Sequence, residues 1–124
     1  MAMEGDFSRY LEDVYSSNRL ARNQLTDTCE IFVVGAGFAG LFRWYKLSKA
    51  GFTDVRFCEK GGEVGGTWYW NRYPGARFDS ASYSYGYSFS DEILDEWEWS
   101  EHFASQPETL RYLNFVADKF DLRR

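Results

Sequence analysis

The chain has 124 residues, 44% of them hydrophobic and 27% charged, the balance of a folded domain or a piece of one and not of a disordered segment. Its net charge is −5 and its sequence pI is about 4.9, so it lacks the basic surface with which proteins displace counterions from nucleic acid. No apolar run approaches the roughly 18 residues of a membrane span, and the acidic, polar opening of the chain does not read as a secretory signal.

Phe7, Tyr10, Leu11, Val14 and Tyr15 fall at i, i+3, i+4, i+7 and i+8. That is the spacing of one helical face and predicts a short amphipathic helix. Residues 19–29 are polar and read as a connecting loop, so residues 1–28 form a helix and loop ahead of a domain spanning 29–124. Residues 30–34 (Glu-Ile-Phe-Val-Val) are a compact β-rich run that stops at glycine, which reads as a buried parallel strand. Gly35-Ala36-Gly37-Phe38-Ala39-Gly40 follows, then a helix to about Ala50 that Gly51 would end at C′. Residues 54–59 read as a second strand, completing a βαβ unit of the usual length, about 30 residues.

Residues 61–79 are rich in glycine and aromatics and read as irregular. Residues 83–89 alternate large and small side chains, which suits a strand or an extended segment. Ser105-Gln106-Pro107-Glu108 is a capping-box pattern with proline in the first turn. Leu110, Leu113, Val116, Ala117 and Phe120 then give an amphipathic helix. The sheet is expected to hold two strands, with a third open to question. Cys29 and Cys58 stand in no metal-like spacing and read as buried free thiols of a reducing compartment, by default the cytoplasm.

A lone G-x-G-x-x-G is a weak signal, but here it follows a strand, opens a helix and is answered by an acidic residue, Glu59, at the end of the next strand. These are the conditions of the dinucleotide fingerprint. Gly35 permits the tight turn, Gly37 lets the backbone approach a pyrophosphate, and Gly40 allows close helix packing. The pyrophosphate would sit at the helix N-terminus, and Glu59 would accept hydrogen bonds from the adenosine ribose. A carboxylate there repels a 2′-phosphate, so this first site is expected to hold FAD or NAD and not NADP. The alternative, a glycine-rich turn without a ligand, satisfies fewer of these features.

Glu63-Val64-Gly65-Gly66-Thr67-Trp68 follows, where a simple dehydrogenase would show nothing similar. A second glycine pair with a hydroxyl and a flat side chain can lie along a long, extended cofactor. The segment from Gly65 to Asp79 (Gly-Gly-Thr-Trp-Tyr-Trp-Asn-Arg-Tyr-Pro-Gly-Ala-Arg-Phe-Asp) resembles the flavin-side segment of the Baeyer–Villiger monooxygenases. The likeness continues through Tyr87-Ser88-Phe89-Ser90 and Phe103-Ala104-Ser105-Gln106-Pro107-Glu108, and closes with Phe115-Val116-Ala117-Asp118-Lys119-Phe120-Asp121-Leu122-Arg123.

The resemblance implies an α/β, partial Rossmann-like FAD-binding domain with parallel strands flanked by helices, incomplete relative to the family. It implies an NADPH-dependent flavoprotein that inserts oxygen into ketones through a flavin peroxide, with FAD as cofactor. By the same resemblance Gly35, Gly37, Ala39, Gly40 and Glu59 match contacts to the ADP moiety. Gly66, Thr67, Trp68 and Trp70 match the flavin side, and Tyr85 matches a tyrosine that touches the flavin. Arg77 lies where the family approaches the nicotinamide cofactor. Asp79 matches an acidic residue beside the isoalloxazine ring that holds an arginine from a later segment, a form of preorganised electrostatic stabilisation. On local sequence alone the lesser alternative for Asp79 is a turn residue after Pro74-Gly75.

The chain departs from the family in lacking the second glycine fingerprint for NADPH, the arginine partner of Asp79 and the substrate-side segments. Ala81 also stands where relatives commonly carry a glutamate. The isolated chain is therefore expected to be inactive, with a ketone as substrate only in a complete enzyme and a complementary C-terminal chain as a further partner. The alternatives are a non-catalytic FAD-binding or interaction module and an NAD-dependent reductase domain. His102, the one histidine, is expected on a surface helix without a catalytic role. The aromatic share is high, 20%, and Trp97 and Trp99 are expected in the core and its rim.

Overall fold

A computed structural model describes residues 5–16 and 25–123 of the chain. The described chain opens with a 3-10 helix, Gly5–Tyr10. The expected amphipathic helix is not formed: beyond Tyr10 the backbone turns, and Leu11 and Val14 are 58% and 75% exposed. The competing interaction is local, because the Asp13 carboxylate takes the Tyr15 N–H (2.9 Å) and so favours a turn over a helix.

β1 (Ile31–Val34) and β2 (Val55–Cys58) pair in parallel, Ile31 opposite Val55 and Val34 opposite Cys58. They form a two-stranded sheet, and no third strand occurs among the described residues. Between them runs α1 (Phe38–Lys49), which stops at Ala50 and hands over to Gly51 at φ 87°, the left-handed exit that glycine allows. One sheet face carries Val33 and Phe57 and is covered from α1, where Trp44 meets Phe57 edge-on at 5.0 Å. The other face is largely open among the described residues, since Phe32 and Val34 are 55% and 76% exposed. β1 is thus parallel as expected but not a buried strand. The same exposure extends to Cys58, while Cys29 is only partly covered, so the thiols are not the buried pair expected.

The core lies beyond the helices. α5 (Gln106–Lys119) buries Thr109, Tyr112, Leu113, Val116 and Ala117. Aromatics from every neighbouring segment pack on it, among them Phe38, Tyr87, Phe89, Trp97 and Trp99. α5 starts where the Ser-Gln-Pro-Glu pattern places it, yet the reciprocal capping bonds are absent. Glu108 turns away and accepts the Ser100 N–H (2.8 Å) and hydroxyl (2.9 Å), pinning a loop across the buried end of the helix.

Three short helices lie between. α2 (Thr67–Trp70) interrupts the stretch expected to be irregular. α3 (Ser82–Tyr85) replaces the expected extended segment at its start. There Ser82 is buried, its N–H donating to the His102 carbonyl (2.8 Å) and its hydroxyl to the Glu101 carbonyl (2.7 Å). Those tertiary bonds outweigh the local alternation of side chains. α4 (Asp91–Glu96) precedes the partly buried Trp97 and Trp99. His102 is exposed as expected, but in a bend and not a helix. No helix among the described residues is long and apolar enough to cross a membrane.

Candidate functional site

Glycine shapes the loop between β1 and α1. Gly35 takes φ 96° and donates its N–H to the Cys58 carbonyl (2.8 Å). A Cβ on Gly40 would lie 2.0 Å from the Gly35 carbonyl oxygen, so the first turn of α1 rests directly on the end of β1. Gly37 is the N-cap of α1; no side chain caps this end, and its first turn holds no acidic residue. The orphan N–H groups and the positive end of the helix dipole are therefore available to an anion. Ala39 is exposed on the same turn.

The second glycine pair closes on the first. Gly65 donates its N–H to the Ala36 carbonyl (2.9 Å). Gly66, at φ 53°, comes so near that its Cβ would meet the Gly37 Cα at 2.9 Å. Two loops from different parts of the sequence thus touch backbone to backbone.

Glu59 sits at the end of β2 and staples both loops: its Oε2 accepts the Ala36 N–H and its Oε1 the Gly61 N–H, each at 2.7 Å. An ionised carboxylate offers about four acceptor positions, so it retains capacity for ligand hydroxyls.

Residues two apart on a helix do not face the same way, and Trp68 and Trp70 on α2 part accordingly. Trp68 is buried, with its Nε1–H on the Tyr85 hydroxyl (3.1 Å) and its ring edge-on to Phe78 and Tyr85. Tyr85 stacks on Phe78 at 4.3 Å and meets Phe38 edge-on at 4.9 Å. Trp70 is half-buried beside Tyr15 and Tyr69, with the Lys60 Nζ 5.4 Å from its ring centroid. Thr67 is exposed at the start of α2.

Arg77 pairs with Glu101 (3.0 Å) and donates to the Phe103 carbonyl (3.2 Å). The exposed carboxylate of Asp79 meets no partner among the described residues. The fold therefore gathers Gly35, Gly37, Gly40, Glu59 and Gly66 into one constellation. Trp68 and Tyr85 form a second, packed against the core, and the exposed Arg77 and Asp79 flank Phe78, which packs into that second cluster.

Sequence reasoning missed the polar groups that lock the aromatic layer. Tyr87 donates its hydroxyl to the Phe38 carbonyl at the start of α1 (2.6 Å), and its N–H donates to the Tyr112 hydroxyl (2.6 Å). Burial pushes the Tyr112 phenol up to about 12, and burial together with the neighbouring tyrosines pushes Tyr87 up as well. Gln106 is buried with its Nε2–H on the Trp68 carbonyl (2.5 Å). No local pattern marks these residues, because each partner is remote in sequence.

Over residues 33–95 the chain matches the family described as an NAD(P)-binding Rossmann-like domain. The chain belongs to that family. This Rossmann-like domain is similar to the 2-oxo-Delta(3)-4,5,5-trimethylcyclopentenylacetyl-CoA monooxygenase of Pseudomonas putida, at 54% identity over 92 residues, covering 74% of the chain and 17% of the relative. It is also 50% identical over 92 residues to a Baeyer–Villiger monooxygenase of Pseudooceanicola batsensis, covering 74% and 17%. The solved structure of OTEMO in complex with FAD and NADP superposes with a TM-score of 0.71 at 52% identity, over 77% of the chain and 18% of that structure. The homologues of this Rossmann-like domain are thus Baeyer–Villiger and related monooxygenases, and the chain spans under a fifth of their length.

Proposed function

We propose that the chain is the FAD-binding portion of an NADPH-dependent flavoprotein monooxygenase of the Baeyer–Villiger type, which inserts oxygen into ketones. The observation that carries this reading is the meeting of the two glycine loops at the uncapped N-terminus of α1. The cradle fits FAD. A Cβ on Gly37 would already stand 3.3 Å from the Gly66 Cα, so a larger side chain would fill the space a pyrophosphate needs. The N–H groups of Phe38, Ala39 and Gly40 would hold the pyrophosphate, and Glu59 would accept from the ribose hydroxyls.

When bound, FAD would supply a ring that NADPH reduces and molecular oxygen reoxidises. Thr67, Trp68, Trp70 and Tyr85 belong to the flavin side of this reading, with Trp68 and Tyr85 acting from the packed layer behind it. Asp79, exposed and without a partner among the described residues, is suited to hold a cation brought by another segment, and Arg77 to approach the nicotinamide cofactor. NADPH, the ketone and a complementary C-terminal polypeptide are partners of the complete enzyme, with the cytoplasm as its compartment.

Titrating the purified chain with FAD tests the reading, with flavin absorbance and tryptophan fluorescence as readouts. Saturable one-to-one binding is expected, and Gly37→Val should weaken it at least about tenfold, or 1.4 kcal/mol. A parent chain that binds no FAD, or a G37V chain that binds it equally well, would refute the assignment.

A further inference from the structure

The turn that precedes the strands reaches across to the loop after β2. Asp13 Oδ2 accepts both the Gly62 N–H (2.6 Å) and the Tyr69 hydroxyl (2.5 Å), while its Oδ1 holds the Tyr15 N–H. Tyr15 lies edge-on to Tyr69 at 5.9 Å and donates its hydroxyl to the Trp70 carbonyl (3.3 Å). The Arg72 guanidinium covers both tyrosine rings, 4.1 Å from one centroid and 4.7 Å from the other. On the same loop Gly61 gives its N–H to Glu59. Two successive backbone donors, Gly61 and Gly62, therefore go to two different carboxylates, Glu59 and Asp13. The fit against the turn is close, since a Cβ on Gly62 would stand 3.0 Å from the Ser16 Cβ.

We propose that Asp13 is a positioning residue for the cofactor: its clasp on Gly62 and Tyr69 orders the loop after β2 and thereby holds Glu59 in its binding position. The proposal rests on the FAD reading above. Two adjacent glycines give this loop wide conformational freedom, and a ligand that must order a loop on binding loses affinity by that amount. The clasp does the ordering beforehand.

Its ionisation is consistent with this. Burial opposes a charge on Asp13, but the Tyr69 hydroxyl and the N–H groups of Tyr15, Gly62 and Ser16 outweigh it and hold the carboxyl below its usual range. Burial and Asp13 together push the Tyr69 phenol up to about 12. The carboxylate and the neutral phenol thus coexist across the neutral range.

The test compares the full chain with Asp13→Ala and Asp13→Asn by three measurements: FAD titration, amide exchange at Gly61 and Gly62 without FAD, and titration of the Tyr69 phenol. Asp13→Ala should weaken FAD binding about tenfold, the equivalent of one charge-assisted hydrogen bond. It should also speed exchange at Gly62 and Gly61 and bring Tyr69 back toward the ordinary value of about 10. Asp13→Asn, which keeps one acceptor oxygen, should restore part of each. Unchanged exchange in D13A would overturn the clasp, and freed amides with parental FAD affinity would overturn its positioning role. Should the parent bind no FAD, the functional reading fails, and the clasp is judged by the amide exchange alone.

Discussion

Replacing Gly40 by alanine tests the packing on which the whole site is built. The new Cβ would lie 2.0 Å from the Gly35 carbonyl oxygen, where a carbon and an oxygen ordinarily keep roughly 3.3 Å. About 1.3 Å must be found between two backbones, and no flexible side chain is there to yield. Raising α1 would disturb Leu41, which is 2% exposed, and the contact of Trp44 with Phe57. Overpacking of this kind costs about 3 kcal/mol, and alanine returns about 1 kcal/mol through its better helix propensity. The net loss of about 2 kcal/mol corresponds to a fall in melting temperature of roughly 10 °C for a chain of this size. Urea unfolding followed by tryptophan fluorescence measures it directly. Gly51→Ala is the control: it has open space around its Cβ but φ 87°, so its cost is limited to the left-handed backbone, about 1 kcal/mol. A G40A chain as stable as the parent, or one less affected than G51A, would refute the close approach of α1 to β1.

Placing lysine at Phe32 and Val34 should reduce hydrophobic-dye binding and self-association while changing stability by under about 0.5 kcal/mol, which dye fluorescence and light scattering check; a large loss of stability would mean that face is covered. The raised Tyr112 phenol, at about 12, makes stability fall with rising pH: below about 10 the contribution is complete, and it disappears as pH passes 12, because the unfolded phenol ionises first. Tyr112→Phe should flatten that decline in unfolding midpoints measured between pH 9 and 12. The purified chain is expected to make no ester from a ketone with NADPH, since Asp79 meets no cation among the described residues; product detection by gas chromatography would overturn this.

The βαβ unit was legible because each of its boundaries has a local cause. A β-rich run stops at Gly35, Gly51 takes the positive φ of a helix exit, and Glu59 closes the second strand. Gly35, Gly37, Gly40 and Glu59 were legible together from the fingerprint, whereas the approach of Gly66 to Gly37 was not. What escaped was set by partners far away. Ser82 is drawn into a helix by carbonyls of Glu101 and His102, and Asp13, which bends the chain locally onto the Tyr15 N–H, has its other oxygen held by Gly62 and Tyr69. The burial of β1 was overestimated since a parallel strand reads as buried only when both faces have cover, and here one does not.

The backbone tethers of the glycine loops also determine where the chain can change length. Between Glu59 and Gly66, the N–H groups of Gly61, Gly62 and Gly65 each have a fixed acceptor: Glu59 for Gly61, and Asp13 and Ala36, elsewhere in the chain, for Gly62 and Gly65. An inserted residue would find no slack there and would have to break at least one of these anchors. Residues 71–75 are exposed throughout, and a loop that already runs through solvent accepts added residues at a cost that grows only slowly with its length. Insertions among homologues, and any engineered tag or linker, should therefore fall around Tyr73 and Pro74, leaving the span from Glu59 to Gly66 constant in length.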